Sequence, residues 1–172
     1  AINSLAEDLK ISFATARDWL EVLDAIYFSF SIRPYFNKIK RSLQKEPKIF
    51  LCDWGGIKDP GAKIKNLVAC HLQKNCHAWT DCAYGQFNLW HLRDREKREV
   101  DFLVTKDTIP WLMIEVKASD TEPTQSLRYF GSLLKPKYAF QIVEKKGYDK
   151  LRNYPEQAIR VVDIRKFLSA LN

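Results

Sequence analysis

Residues 99–117 have the sequence EVDFLVTKDTIPWLMIEVK, in which two apolar runs flank a short polar break. Side chains alternate between the two faces of a strand, so Glu115 and Lys117 are expected to emerge together while the apolar residues between them enter the core. Asp101 lies in the first run, and a turn near Asp107–Pro110 predicts that the two strands pair as a hairpin. The pattern therefore predicts two carboxylates and one ammonium at a single edge.

These side-chain types suit metal-assisted phosphodiester cleavage. Carboxylate oxygens are hard ligands for Mg²⁺, which generates a hydroxide nucleophile and stabilises charge on a phosphate. A neighbouring lysine orients water or neutralises the developing negative charge. The alternative is a solvated hairpin that carries Asp, Glu and Lys on its outer face, where charged residues are common. The spacing alone leaves both interpretations open.

The chain has 172 residues, of which 46% are hydrophobic and 13% aromatic. This length and composition predict a globular protein with one domain, or one domain with a small appendage. No apolar run approaches the roughly 20 residues of a membrane-spanning helix, and no signal peptide is expected. We therefore expect a cytoplasmic protein with no membrane partner. Because the first residue is Ala1 and not methionine, we also expect a fragment of a longer polypeptide.

The formal net charge is +7, and the excess is concentrated between residues 33 and 48. A basic segment of this density attracts a phosphate backbone through counterion release, so nucleic acid, most simply DNA, is the expected partner. A basic loop that only maintains solubility is the alternative. The candidate nucleic-acid-binding residues are Arg33, Lys38, Lys40, Arg41 and Lys45.

Four cysteines raise the question of a zinc site: Cys52, Cys70, Cys76 and Cys82. Successive members of the last three are separated by five residues, whereas paired thiolates in common zinc modules are about two to four residues apart. Disulfides are not expected without a secretory signal. The pattern favours reduced thiols over zinc.

Residues 1–55 are predicted to form a winged-helix-like segment. Ser12 is the candidate N-cap of a helix that runs to about Leu23. Its predicted core stripe contains Ala16, Trp19, Leu20 and Leu23. Strict alternation of Ile26, Phe28, Phe30 and Ile32 predicts a strand, and residues 48–52 predict a second one. Strands joined by a basic loop resemble a wing, and the acidic outer face of the helix leaves open whether the segment contacts DNA or another protein.

The loop at residues 53–60, with its glycines and proline, marks the best domain boundary, so residues 56–172 are assigned to a second domain. The patterns there predict a helix over 62–74, strands over 83–92, 100–104 and 111–117, a helix over 123–134 and a strand over 137–143. This order predicts an α/β fold with a mixed sheet flanked by helices.

That order, with Asp on one strand and Glu-x-Lys on the next, resembles the restriction-endonuclease-like core of the PD-(D/E)XK nuclease superfamily. More narrowly, the chain is similar to the C-terminal domain of unknown function of bacterial and archaeal predicted AAA-type ATPases. The matching landmarks are Leu5–Leu9, Trp19–Leu23, Lys48–Asp53, Gly61–Val68, Leu89–Asp94, Arg98–Phe102 and Ile114–Lys117.

The resemblance implies that Asp101 and Glu115 are ligands of Mg²⁺, that Lys117 is the basic catalytic residue, and that Gln125 supports the site from the following helix. An active member would be a Mg²⁺-dependent phosphodiesterase. The resemblance also implies an N-terminal ATPase module in the full-length protein. This chain contains no Gly-x-x-x-x-Gly-Lys-[Ser/Thr] motif, so no ATP site of that type is expected within it.

One position departs from the family pattern. A glutamate normally precedes the asparagine of the helix that opens at Gly61, whereas this chain has Lys65 before Asn66. An ammonium cannot ligate Mg²⁺ and opposes cation binding. Three functions remain open: a Mg²⁺-dependent nuclease that uses Asp101, Glu115 and Lys117; a nucleic-acid-associated, nuclease-like domain with degenerate catalysis; and a non-catalytic protein-interaction or regulatory domain of the ATPase.

Overall fold

The computed structural model describes residues 2–35 and 46–171. These residues form five helices and eight strands. In chain order they are α1 Ile2–Leu9, α2 Phe13–Ala25, β1 Ser29–Pro34, β2 Lys48–Leu51, α3 Pro60–Asp81, β3 Phe87–Arg93, β4 Glu99–Lys106, β5 Ile109–Val116, α4 Gln125–Leu134, β6 Tyr138–Val143, β7 Asp149–Asn153, β8 Ala158–Asp163 and α5 Ile164–Ser169.

The eight strands form one mixed sheet in the order β2-β1-β3-β4-β5-β6-β8-β7. The predicted hairpin is present at its centre, where β4 and β5 pair antiparallel. Its turn contains Asp107 and Thr108, both with positive φ, as the tight turns that match strand twist require. Strands β5, β6 and β8 are parallel neighbours. The predicted α/β class, with a mixed sheet flanked by helices, is confirmed.

Both faces of the central sheet are covered. Phe102 and Ile114 belong to a buried cluster that includes side chains of α3 and α5, while Leu103 and Met113 pack against α4 in a second cluster. Because both faces are buried, the central strands carry apolar residues at successive positions and not only at every second one. A polar residue in these strands is therefore exceptional, and it needs partners.

The N-terminal helices have a small core of their own, made by Ile2, Ala6, Ala16 and Leu20. Ser12 caps α2 as predicted, since its hydroxyl accepts a hydrogen bond from the Thr15 amide at 3.0 Å. The predicted stripe is wrong at Trp19, which is 54% exposed and does not belong to this core. Leu23 packs at the margin of this core.

The strand predicted from Ile26 begins three residues later, at Ser29. Ile26 caps the C-terminus of α2, and Tyr27 has a left-handed φ of 57° that turns the chain. Ile26 and Phe28 are exposed, whereas Phe30 is partly buried and Ile32 is buried within β1, so the predicted half-buried strand is confirmed only in its second half. From Ser29 onward, β1 pairs antiparallel with β2 and parallel with β3, so the β1–β2 hairpin belongs to the same sheet as the hairpin at its centre.

Helix α3 extends beyond its predicted end at residue 74 to Asp81. The segment after Lys74 is polar in sequence, but Cys76 is buried in the core and the Asn75 side chain donates to the His71 carbonyl oxygen. Tertiary packing therefore maintains helix where the local pattern predicts an end. Strands β7 and β8 and helix α5 were not predicted.

The buried side chain of Asn66 attaches helix α3 to the edge strand β2, and the Cys70 thiol of the same helix also contacts the Leu51 carbonyl oxygen at 3.3 Å. Asn66 accepts a hydrogen bond from the Leu51 amide at 2.9 Å and donates to the Leu51 carbonyl oxygen at 2.6 Å. The amide thus pairs with the strand backbone as another strand would. Asn66 also fixes the rotation of α3 about its axis, which determines where the neighbouring Lys65 points.

Replacing Asn66 with alanine is expected to lower the free energy of unfolding by about 1–3 kcal/mol, because it leaves the part-buried Leu51 amide without a partner. The Leu51 carbonyl oxygen would keep only the weaker contact with the Cys70 thiol. Urea unfolding followed by circular dichroism measures this. Lys74→Ala, an exposed change on the same helix, is the control and is expected to alter stability by less than about 0.5 kcal/mol. Equal effects of the two changes would show that the Asn66 bonds do not hold the helix.

Candidate functional site

Asp101 lies where the regular pairing of β4 is interrupted. Between Trp90 and Leu92 of β3 the register with β4 shifts by one residue, so β4 has a bulge next to Asp101. Such bulges redirect side chains within a sheet. On the other side of β4, the Asp101 Oδ2 atom accepts a hydrogen bond from the Val116 amide at 2.9 Å. The carboxylate thus replaces a backbone acceptor at the point where β4 and β5 begin to separate.

Glu115 and Lys117 are brought together as the alternation predicts. The Lys117 Nζ atom lies 3.0 Å from the Glu115 Oε1 atom. The Glu115 carboxylate does not reach the solvent: it is buried, and its Oε2 atom has no hydrogen-bond partner among the described residues. Burial, with a further contribution from the Asp101 carboxylate, raises the pKa of Glu115 to about 7. Lys117 and Lys65 lower this pKa, but their effect is smaller.

Lys65 completes the arrangement from helix α3. Its Nζ atom donates to the Asp101 Oδ1 atom at 2.8 Å. Burial lowers the pKa of Lys65, but the attraction and hydrogen bond of Asp101 outweigh that effect, so the pKa lies above its ordinary value and the side chain is an ammonium. We call Lys65, Asp101, Glu115 and Lys117 the carboxylate–lysine cluster.

A second set of charges adjoins the cluster, and the sequence analysis did not assign it to the site. Lys48 of β2 forms an ion pair with Glu99 of β4, and its Nζ atom is 4.0 Å from the Asp101 carboxylate. Arg93 lies 3.4 Å from Glu99 on the other side. Burial raises the pKa of Glu99, but these cations outweigh it and the net shift is downward. Lys48 lies at the end of the basic segment of residues 33–48, and the structure places its ammonium in this ion-pair network.

Gln141 is a further residue that the sequence analysis missed. It is fully buried on β6 directly beside Glu115 in the register. Its amide donates to the carbonyl oxygens of Asp120 at 2.7 Å and Glu122 at 2.9 Å and accepts from the Thr124 amide at 3.1 Å. It therefore holds the loop that follows Lys117. The available signal was a single amide in the otherwise apolar run Tyr138–Val143.

Gln125 was predicted to support the site, and its contacts do not place it there. It is exposed in the first turn of α4, and within the described residues no hydrogen bond or ion pair links it to Asp101, Glu115 or Lys117. The supporting contacts to the loop come from Gln141. Thr124, the residue before Gln125, caps the helix by accepting from the Leu127 amide at 3.1 Å.

The carboxylate–lysine cluster does not fit a Mg²⁺ ion as it stands. Each carboxylate is paired with an ammonium. The Lys65 ammonium occupies the Asp101 Oδ1 atom, an oxygen that a metal ion would need. Within residues 2–35 and 46–171 there is no group of three or more His, Cys, Asp or Glu side chains that could hold a metal ion. The four cysteines are all free thiols.

Of the five candidate nucleic-acid-binding residues, Arg33 is the one that lies within the described part of the chain. Arg33 is exposed near the end of β1, where it lines a cleft of about 570 Å³ together with Gln73, His77 and Asn88, none of which belongs to the cluster. The remaining candidates lie outside the described residues: Lys38, Lys40, Arg41 and Lys45.

The fold and this site define an α/β protein with a mixed sheet and a buried carboxylate pair at its centre. The chain belongs to the family described as "Domain of unknown function (DUF4143)", whose model matches residues 60–167. A second model, "Domain of unknown function (DUF8612)", matches residues 1–57. No curated protein and no solved structure matches the chain. Across the described residues, no helix combines the length and apolar character needed to cross a membrane.

The raised pKa of Glu115 predicts a pH-dependent stability. Its ordinary pKa of 4.5 applies to the unfolded chain, against about 7 in the folded protein. Below pH 4.5 the group is neutral in both states, and as the pH rises towards 7 the unfolded state ionises first. The contribution of Glu115 to the free energy of unfolding is therefore expected to fall by about 2–3 kcal/mol over this interval and to change little above it. Buried His91, whose pKa is lowered to about 4, contributes in the opposite direction.

Urea unfolding at pH 5 and pH 8 tests this for the native chain and Glu115→Gln. From pH 5 to pH 8 the variant is expected to become more stable relative to the native chain, because its amide does not ionise. Glu144→Gln, which changes an exposed carboxylate, is expected to retain the native dependence. Parallel pH dependences for the native chain and Glu115→Gln would contradict the assignment.

Proposed function

We propose that this chain is a nucleic-acid-associated, nuclease-like domain in which catalysis is degenerate, and that it acts as the C-terminal part of a larger ATPase. The nuclease-like character rests on the PD-(D/E)XK resemblance together with the proximity of Glu115 and Lys117 to Asp101. Association with an ATPase rests on the resemblance of the landmarks over residues 4–143. The chain supplies no phosphate loop, so ATP binding falls to the other module.

The observation that supports degenerate catalysis is the contact between Lys65 and Asp101. An ammonium 2.8 Å from the Asp101 Oδ1 atom both occupies a coordinating oxygen and adds a positive charge where a divalent cation would bind. In the resembling family this helix position carries a glutamate. The substitution therefore exchanges a third carboxylate for a cation, a change of two charge units at the site.

Association with nucleic acid rests on charge. Four of the cations responsible for the net charge of +7 fall within residues 36–45, a segment with no acidic residue. Arg33 precedes this segment on β1 and is exposed. A dense cluster of cations binds phosphate backbones through counterion release, so the binding is expected to weaken steeply with salt.

A cleavage assay tests the proposal with plasmid and single-stranded DNA in Mg²⁺ or Mn²⁺. The native chain is expected to be inactive. Lys65→Glu removes the ammonium and restores a third carboxylate, so it is expected to gain metal-dependent cleavage. The double variant Lys65→Glu/Glu115→Gln is the control and is expected to lose that activity again, since one metal ligand is removed.

Two results would overturn this assignment. Cleavage by the native chain that disappears in Glu115→Gln would show that catalysis is intact despite Lys65. Failure of Lys65→Glu to bind Mn²⁺ more tightly than the native chain, measured by calorimetry, would show that Lys65 does not block a metal site. The calorimetric measurement remains informative even if the variant does not turn over DNA.

The second candidate is a protein-interaction or regulatory domain, and an exposed apolar stripe on α2 favours it. Trp19, Val22 and Ile26 follow helical spacing and are all exposed. Apolar patches of this kind commonly contact other proteins. Absence of both cleavage and salt-sensitive DNA binding by the native chain would favour this function over the first.

A further inference from the structure

The charges of the carboxylate–lysine cluster are arranged in depth. The side chains of Asp101 and Glu115 are only 5% and 7% exposed, whereas those of Lys65 and Lys117 are 40% and 36% exposed. The carboxylates thus form the base of the site and the two ammonium groups lie at its mouth. A ligand that approaches from solvent meets positive charge first.

The two ammonium groups retain hydrogen-bonding capacity. A lysine ammonium has three donors. Among the described residues, Lys65 donates one hydrogen bond to Asp101 and Lys117 is paired with Glu115. Since each contact occupies one donor, two N–H groups on each side chain remain for a further acceptor. Several donors on two neighbouring cations match the oxygens of a phosphate group.

The surrounding charges do not cancel this potential. In the described part of the chain, the cluster and its neighbours Lys48, Arg93 and Glu99 bring four cations against three carboxylates. The surplus is positive, and within the cluster Asp101 and Glu115 are more deeply buried than Lys65 and Lys117. Glu99 is about as exposed as its partners Lys48 and Arg93. A cation would be repelled at the mouth of such a site and an anion attracted.

We propose that Lys65 and Lys117 bind a phosphate group directly, with no bridging metal ion. The inference rests on the proposed function, because it names the ligand of the same site and explains how a nuclease-like domain without a metal centre retains affinity for its ligand. The phosphate is either a phosphodiester of nucleic acid or the phosphate of a small molecule, and both present the same oxygens to the two ammonium groups.

The test measures binding in EDTA by fluorescence anisotropy of a labelled single-stranded DNA, and by calorimetry with inorganic phosphate as the second probe. Lys65→Gln and Lys117→Gln are each expected to weaken binding of the relevant probe about tenfold. For DNA, each change is also expected to lower the slope of log K against log salt by about one. Lys74→Gln, the same change at an exposed position of α3, is the control and is expected to have a smaller effect.

Asp101→Asn separates the inference from metal-mediated binding. Its side-chain oxygen still accepts from the Val116 amide, but the negative charge beneath Lys65 is removed. Direct phosphate binding is therefore expected to become several-fold tighter in EDTA, whereas binding through a metal ion would weaken because a ligand is lost. Thermal unfolding of each variant shows whether the fold is retained.

Weaker binding by Lys65→Gln and Lys117→Gln, together with tighter binding by Asp101→Asn, supports the inference. The probe whose binding changes identifies the source of the phosphate. Binding that requires Mg²⁺, or that Lys65→Gln, Lys117→Gln and Lys74→Gln reduce equally, overturns it. In that last case the native chain still binds DNA, so the proposed function stands. Absence of any DNA binding by the native chain would overturn both.

Discussion

Two carboxylates buried within an apolar sheet are the constraint on which this structure depends. An unpaired charge in such an environment costs several kcal/mol, so Asp101 and Glu115 require partners close at hand. Asp101 obtains the Val116 amide and the Lys65 ammonium, and Glu115 obtains Lys117. The bulge in β4, the separation of β4 from β5 and the orientation of α3 all serve these contacts.

Lys65 can reach Asp101 only if α3 lies at the correct rotation and depth. Its neighbour Asn66 sets both by pairing with the backbone of β2 at Leu51, and Gln141 holds the loop after Lys117 on the opposite side. The pairing that stabilises the buried carboxylates also neutralises them. On the function proposed above, the same contact that keeps the fold stable replaces metal chemistry with cationic binding.

The central hairpin and the proximity of Glu115 to Lys117 were predictable because strand alternation and turn chemistry act over a few residues. Failures occurred where distant segments decide the outcome. Trp19 matches the core stripe by spacing, yet it lies outside the core that α1 and α2 form and is exposed. Lys48 ends a basic segment of the sequence, but it pairs with Glu99, which is 51 residues away in the chain.

The amino-acid sequence specified the α/β class, the strand that carries Asp101, and the shared side of Glu115 and Lys117, since each follows from a local periodicity of apolar residues. The tertiary structure decided the charge state and accessibility of the site. Whether a carboxylate is buried, and which ammonium lies against it, depends on how α3 and β2 pack on the sheet. Those contacts join residues 36 positions apart for Lys65 and Asp101, and no local pattern encodes them.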